Sequence, residues 1–257
     1  MEIRFLLLKK FLLLIFPLIG LPGAWAEISI QNDQQYFGDD GSLHIVGEIQ
    51  NNFNVPLNQI EVQAKLFSNG IMIDTVKTSS MLNTIMPQMK GPFDIVILGN
   101  DAKGVDKYSL EVSYKLTEPK NQVIDITKSD FSIDNSNNLV ITGTVANRGD
   151  ITANTVVVVA TLYDRNGNVA AVSKTHVEPD YLRAGDEAFF FVSVPDKTQS
   201  NSVVDYSLVA ESEEYTAVPE FPFSSMMLLL SSVSVYVVLT RYSSRVIVNL
   251  VSAASPK

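Results

Sequence analysis

Apolar and polar residues alternate at period two along most of the chain. Leu43, Ile45, Gly47 and Ile49 hold every second position of one tract, and Ile60, Val62, Ala64 and Leu66 do so in the next. Phe93, Ile95 and Ile97 repeat the pattern. Such alternation predicts strands with one buried and one wet face, as in an antiparallel sheet. The pattern is then written a second time. Leu139, Ile141, Gly143 and Val145 follow the first tract at an offset of 96, as do Val156, Val158, Ala160 and Leu162 the second. Phe190, Val192 and Val194 follow at 97, and Tyr206-Ser207-Leu208 follows Tyr108-Ser109-Leu110 at 98. An offset that grows by single residues is what loop insertions produce. A repeat of this length is too long for a solenoid unit and suits a small domain.

Turn signals punctuate the strands. Ser68-Asn69-Gly70 and Asp164-Arg165-Asn166-Gly167-Asn168 predict hairpins, and Met86 to Gly91 and Arg183 to Asp186 predict loops. Six or seven strands per unit, with no convincing helix, predict an all-β fold. It consists of two tandem immunoglobulin-like antiparallel β-sandwiches. The short polar joint Glu118 to Gln122 predicts that they stack end to end.

Two segments depart from this pattern. Arg4, Lys9 and Lys10 precede an apolar run from Phe11 to Leu21, and Ala24-Trp25-Ala26 is a small-x-small triplet. Residues 1–26 therefore read as a secretory signal peptide, with a retained anchor as the alternative. Phe223 to Thr240 is free of charge and is followed by Arg241 and Arg245. As a helix it would reach about 27 Å, enough for one transmembrane span. The arginines hold the tail 241–257 in the cytoplasm and leave residues 27–222 outside. The chain thus divides into a signal (1–26), a first module (27–117), a linker (118–123), a second module (124–212), a tether (213–222), the helix (223–240) and the tail.

Composition narrows the function. Residues 27–217 hold 26 Asp and Glu against 13 Lys and Arg. An acidic exterior of this kind disfavours nucleic acid as a partner. There is no cysteine, which removes thiol nucleophiles and disulfides, and there are no Asn-x-Ser/Thr sequons. The only bases for a triad are His44 and His176. His44 alternates with Leu43 and Ile45 and should face out, and His176 lies in a polar stretch without a serine motif. The expectation is no enzyme and no cofactor. Asp164, Asn166 and Asn168 offer oxygens at alternate positions and are weak calcium candidates, but no glutamate stands at the twelfth place. A hairpin turn accounts for the same residues.

Phe131-Ser132-Ile133, Gly143-x-Val145-x-Asn147 and Leu162-Tyr163-Asp164 resemble the FxLyD domain, an immunoglobulin-like module of exported archaeal and bacterial proteins. The first module keeps Gly47-x-Ile49-x-Asn51 but has Leu66-Phe67-Ser68, and so resembles a diverged copy. The family supplies no catalytic or binding residues. Gly47 and Gly143 suit close approach of a neighbour, and Asn51 and Asn147 suit bonding of local backbone. Pro219-Glu220-Phe221-Pro222 before the apolar run is similar to PEF-type archaeal sorting signals. That resemblance implies exchange of the helix for lipid by an archaeosortase-like enzyme, with a retained helix as the alternative. The expected protein is a non-catalytic envelope component at the cell surface. It would act as a structural or protein-interaction module, with the membrane and other surface proteins or glycans as partners. A ligand- or glycan-binding subunit and a calcium-dependent adhesion array are the alternatives.

Overall fold

A computed structural model describes residues 27–217 apart from Ser136, Asn137 and Pro195. The signal segment, the sorting-like motif, the apolar run 223–240 and the tail lie outside the described residues. Among the described residues no helix is long and apolar enough to cross a membrane.

The described chain is all-β. In the first half run β1 (Ile28–Phe37), β2 (Leu43–Asn51), β3 (Leu57–Ser68), β4 (Ile71–Ser79), β5 (Thr84–Ile85), β6 (Lys90–Ile97) and β7 (Lys107–Leu116). In the second run β8 (Asn121–Ile133), β9 (Leu139–Asn147), β10 (Val157–Tyr163), β11 (Val169–His176), β12 (Glu187–Val194), β13 (Asp205–Glu211) and β14 (Tyr215–Ala217). One-turn helices α1 (Asn100–Lys103) and α2 (Lys197–Ser200) stand at corresponding places, before β7 and β13. Each half has two sheets. The first has β1-β2-β6 and a sheet in which β3 lies between β4 and β7 and also meets β5. The second has β12-β9-β8-β14 and β11-β10-β13. All pairings are antiparallel except β14 with β8.

The repeat seen in the sequence is a repeat of registers. Gly47 pairs with Phe93, and Gly143 pairs with Phe190. Leu57 meets Ile85, and Ala153 meets Leu182. Each half closes on its own hydrophobic cluster. Leu43, Ile45, Val62, Leu66, Phe93 and Ile95 lie at the centre of the first, and Ile141, Val158, Leu162, Phe190, Val192 and Tyr215 lie in the second. The aliphatic strands therefore replace a disulfide as the core.

Three expectations need correction. The linker is shorter than 118–123, because β8 already begins at Asn121. The tether begins inside the fold, because Tyr215 is buried and β14 adds a strand beside β8. The halves do not meet end to end. The outer face of β11-β10-β13 lies against β1-β2-β6 and the Met81–Thr84 segment, and both halves belong to one compact unit. Val159 joins the first half's cluster, with Val172 and Val209 packed on it. As a result β2 and β10 are covered on both faces, and one wet face per strand does not hold for them. Val46 on one side and Val157 on the other are buried where alternation alone would expose them.

Candidate functional site

The motif residues are structural in their contacts. Asn51 and Asn147 are fully buried at the ends of β2 and β9. Asn51 Nδ2 donates to the carbonyls of Val55 (3.0 Å) and Ile85 (2.9 Å), and its Oδ1 accepts from Phe53 N (2.9 Å). Asn147 makes the same three bonds, to Ile151 and Leu182 and from Gly149 N. Each asparagine thus ties two loops to a strand end and leaves no buried amide group unpaired. Gly47 and Gly143 lie beneath the Phe93 and Phe190 rings. A Cβ on Gly143 would stand 2.2 Å from the Lys128 carbonyl and 2.5 Å from the ring, and one on Gly47 would stand 2.8 Å from its ring. Leu162 is fully buried.

Asp164, Asn166 and Asn168 form the β10–β11 hairpin turn. Asp164 Oδ1 accepts from the amides of Asn166 (2.8 Å) and Asn168 (2.9 Å), and Gly167 takes φ +82°. The carboxylate is turned to its own loop, which is the geometry of a turn residue. No group of three or more His, Asp or Glu side chains is placed to hold a metal ion among the described residues.

The chemistry that sequence reasoning missed lies where the halves meet. Glu48, on the outer face of β2, is 2% exposed. It accepts from Tyr163 Oη (2.5 Å), Asn32 Nδ2 (3.0 Å) and Lys90 Nζ (2.8 Å). A buried carboxylate needs such partners to offset its lost hydration. Burial and the Glu48 charge push the Tyr163 phenol above its ordinary range. At the other end Glu211 is 1% exposed and accepts from the amides of Asn83 (2.8 Å) and Thr84 (3.3 Å). Burial raises its carboxyl above the usual range, while the amide of Asn83 and the Lys174 charge pull the other way.

Within the first half, Ser42, His44 and Asp94 have the composition of a nucleophilic triad. Ser42 Oγ lies 2.9 Å from His44 Nε2, and His44 Nδ1 lies 3.0 Å from Asp94 Oδ2. Its arrangement directs the serine hydrogen to Asp40 and not to the imidazole. Ser42 is buried, and its hydroxyl lies 2.5 Å from Asp40 Oδ1. An ionised carboxylate only accepts, so the serine hydrogen is given to Asp40. The serine oxygen then accepts from His44 Nε2–H, while Nδ1–H donates to Asp94. When both ring nitrogens donate in this way the ring is an imidazolium, which has no lone pair to take a proton. The Asp94 hydrogen bond holds the imidazole above its ordinary value against the effect of burial, and the Asp94, Asp40 and Asp196 charges add to it. The Tyr36 ring lies parallel to it with centroids 4.8 Å apart, a suitable contact for a cation. His44 does face away from the core, as its alternation predicts, but its side chain is only 18% exposed.

Beside this line the second half grips the first. Asp39 N donates to Asp196 Oδ2 (3.2 Å), and Lys197 N donates to Asp39 Oδ2 (3.0 Å). Asp196 also caps α2 through Gln199 N. A shallow cavity of about 260 Å³ opens next to it, lined by Asp40, Gly41, Ser42, Leu98, Gly99 and Lys103. His176 is exposed.

No family model matches the chain, and no curated protein matches it. Among solved structures, the exo-chitosanase CsxA of Amycolatopsis orientalis aligns over 76% of this chain with 13% identity and a TM-score of 0.26. Red sea bream transglutaminase aligns over 77% with 9% identity and a TM-score of 0.22. The alignment spans 26% of the length of the first and 32% of the second. Likeness at this level carries no conclusion about activity.

Proposed function

We propose that the chain is a non-catalytic cell-surface protein. In this reading two FxLyD-like immunoglobulin sandwiches are held outside the membrane as one interaction module, by a C-terminal helix or its lipid replacement. It needs no cofactor, and its partners are the membrane and other surface proteins or glycans. The observation that carries the reading is the use of the polar chemistry. Glu48, Glu211, Asp39 and Asp196 are all engaged in holding one half against the other, and His44 is held between Ser42 and Asp94. Such a junction suits a rigid spacer or docking platform better than an active site, where polar groups are left facing a cavity.

The chain has no cysteine, so a single introduced thiol reports topology directly. S109C, on the exposed side of β7, should react with a membrane-impermeant maleimide in intact cells. S243C, beyond the apolar run, should react only after lysis, or be lost with the helix if lipid replaces it. Protection of S109C together with labelling of S243C in intact cells would invert the topology and end the surface reading.

A further inference from the structure

The outer face of β12-β9-β8 carries Phe189 and Phe191, 59% and 48% exposed. Phe189 stands in a row with Thr144 and Lys128, and Phe191 in a row with Thr142 and Asp130. The repeat gives this face a counterpart in the first half. At the 96-residue offset Thr142 and Thr144 correspond to Val46 and Glu48, which the second half buries. The face that takes a neighbouring sheet in the first half is thus uncovered in the second, and there it bears two aromatic rings. The chain's remaining outer face, on β3 and its neighbours, is built differently. Glu61, Gln63 and Lys65 stand where β10 has Val157, Val159 and Thr161. Lys77 pairs with Glu61 at 2.6 Å, and Lys65 pairs with Glu111. Copying the internal junction from chain to chain would therefore set phenylalanines on solvated ion pairs, a mismatch that blocks open head-to-tail assembly.

We infer that the β12-β9-β8 face pairs with the same face of a second copy of this chain about a two-fold axis. Place that axis in the interface, across the strands, midway between the Thr142 and Thr144 rows. Phe189 then meets Phe191 of the second copy, Thr144 meets Thr142, and Lys128 meets Asp130. A two-fold interface requires a surface that complements itself, and these rows do so in ring contact and in charge. Lys128 and Asp130 form no ion pair among the described residues, so both charges are available. Two sheets packed in this way lie about 10 Å apart. The patch is small, so pairing is weak in dilute solution and gains when both copies share one membrane. The inference names the partner of the interaction module proposed above and rests on that reading.

The test uses the full chain in membranes of the expressing cells, with T142C as the only thiol and a short bismaleimide as the probe. A species of twice the mass is expected. Adding K128D sets Asp against Asp130 and should lower the doubled species about tenfold. K128D/D130K exchanges the signs and should restore it. S109C, on the first half's free face, should give none. Absence of the doubled species with T142C, while a monofunctional maleimide labels that thiol, would overturn the inference. So would a charge exchange that does no better than K128D. Cross-linking to a different polypeptide would overturn self-pairing and leave the interaction reading standing, which topology labelling decides separately.

Discussion

At the residue scale the two buried asparagines carry the most weight per side chain. Asn147 satisfies the Ile151 and Leu182 carbonyls and the Gly149 amide at one place. In N147A these groups lose their partner, at about 1–3 kcal/mol for each that stays buried. We expect a loss of about 3 kcal/mol in urea unfolding, with a similar loss for N51A. A loss under about 1 kcal/mol would mean that the loops find water instead. His44 gives a pH dependence whose sign is fixed. Its pKa is raised in the folded state by Asp94, so the folded protein binds the proton more tightly than the unfolded chain does. The stabilisation is complete below the unfolded value of about 6.5 and is lost as pH rises through the higher folded value. In H44Q that fall in stability with rising pH should flatten. The asparagines were legible in the sequence because their motif occurs twice. The Ser42–His44–Asp94 line was not, because Asp94 is brought to His44 only by the β2–β6 register.

At the element scale β10 is the strand on which both packing surfaces depend. Val158, Ala160 and Leu162 face the second cluster, and Val159 faces the first half. L162A should cost about 2–5 kcal/mol through lost burial and a cavity. H176A, at an exposed position of the neighbouring strand, should cost under about 0.5 kcal/mol. Equal losses would place the core elsewhere. Strands, hairpins and the pairing of the repeats were readable, since alternation and turn residues are local properties. The second covered face was not, although a trace of it was present. Val156 to Ala160 is an unbroken apolar run, and such runs belong to strands buried on both sides. Its even members alternate toward the second cluster, and its odd members, Val157 and Val159, supply the second covered face. Phe189-Phe190-Phe191 is another unbroken run, and the same logic assigns its exposed members to an interface.

In the whole molecule the two repeated halves form one compact unit. The short joint between β7 and β8 was compatible with end-to-end stacking, and only the buried contacts decide for side-by-side packing. Glu48 with Tyr163 and Glu211 with the Asn83 and Thr84 amides connect positions more than a hundred residues apart, which no local pattern encodes. If these contacts bind the halves tightly, neither half unfolds alone, because its departure would expose the apolar face around Val159, Val172 and Val209 and break the Tyr163–Glu48 and Asn83–Glu211 bonds. Scanning calorimetry of residues 27–217 tests this most directly. One transition is expected, with calorimetric and van't Hoff enthalpies equal. Two separable transitions in the unmodified protein, each with the enthalpy of a domain of about 90 residues, would contradict it.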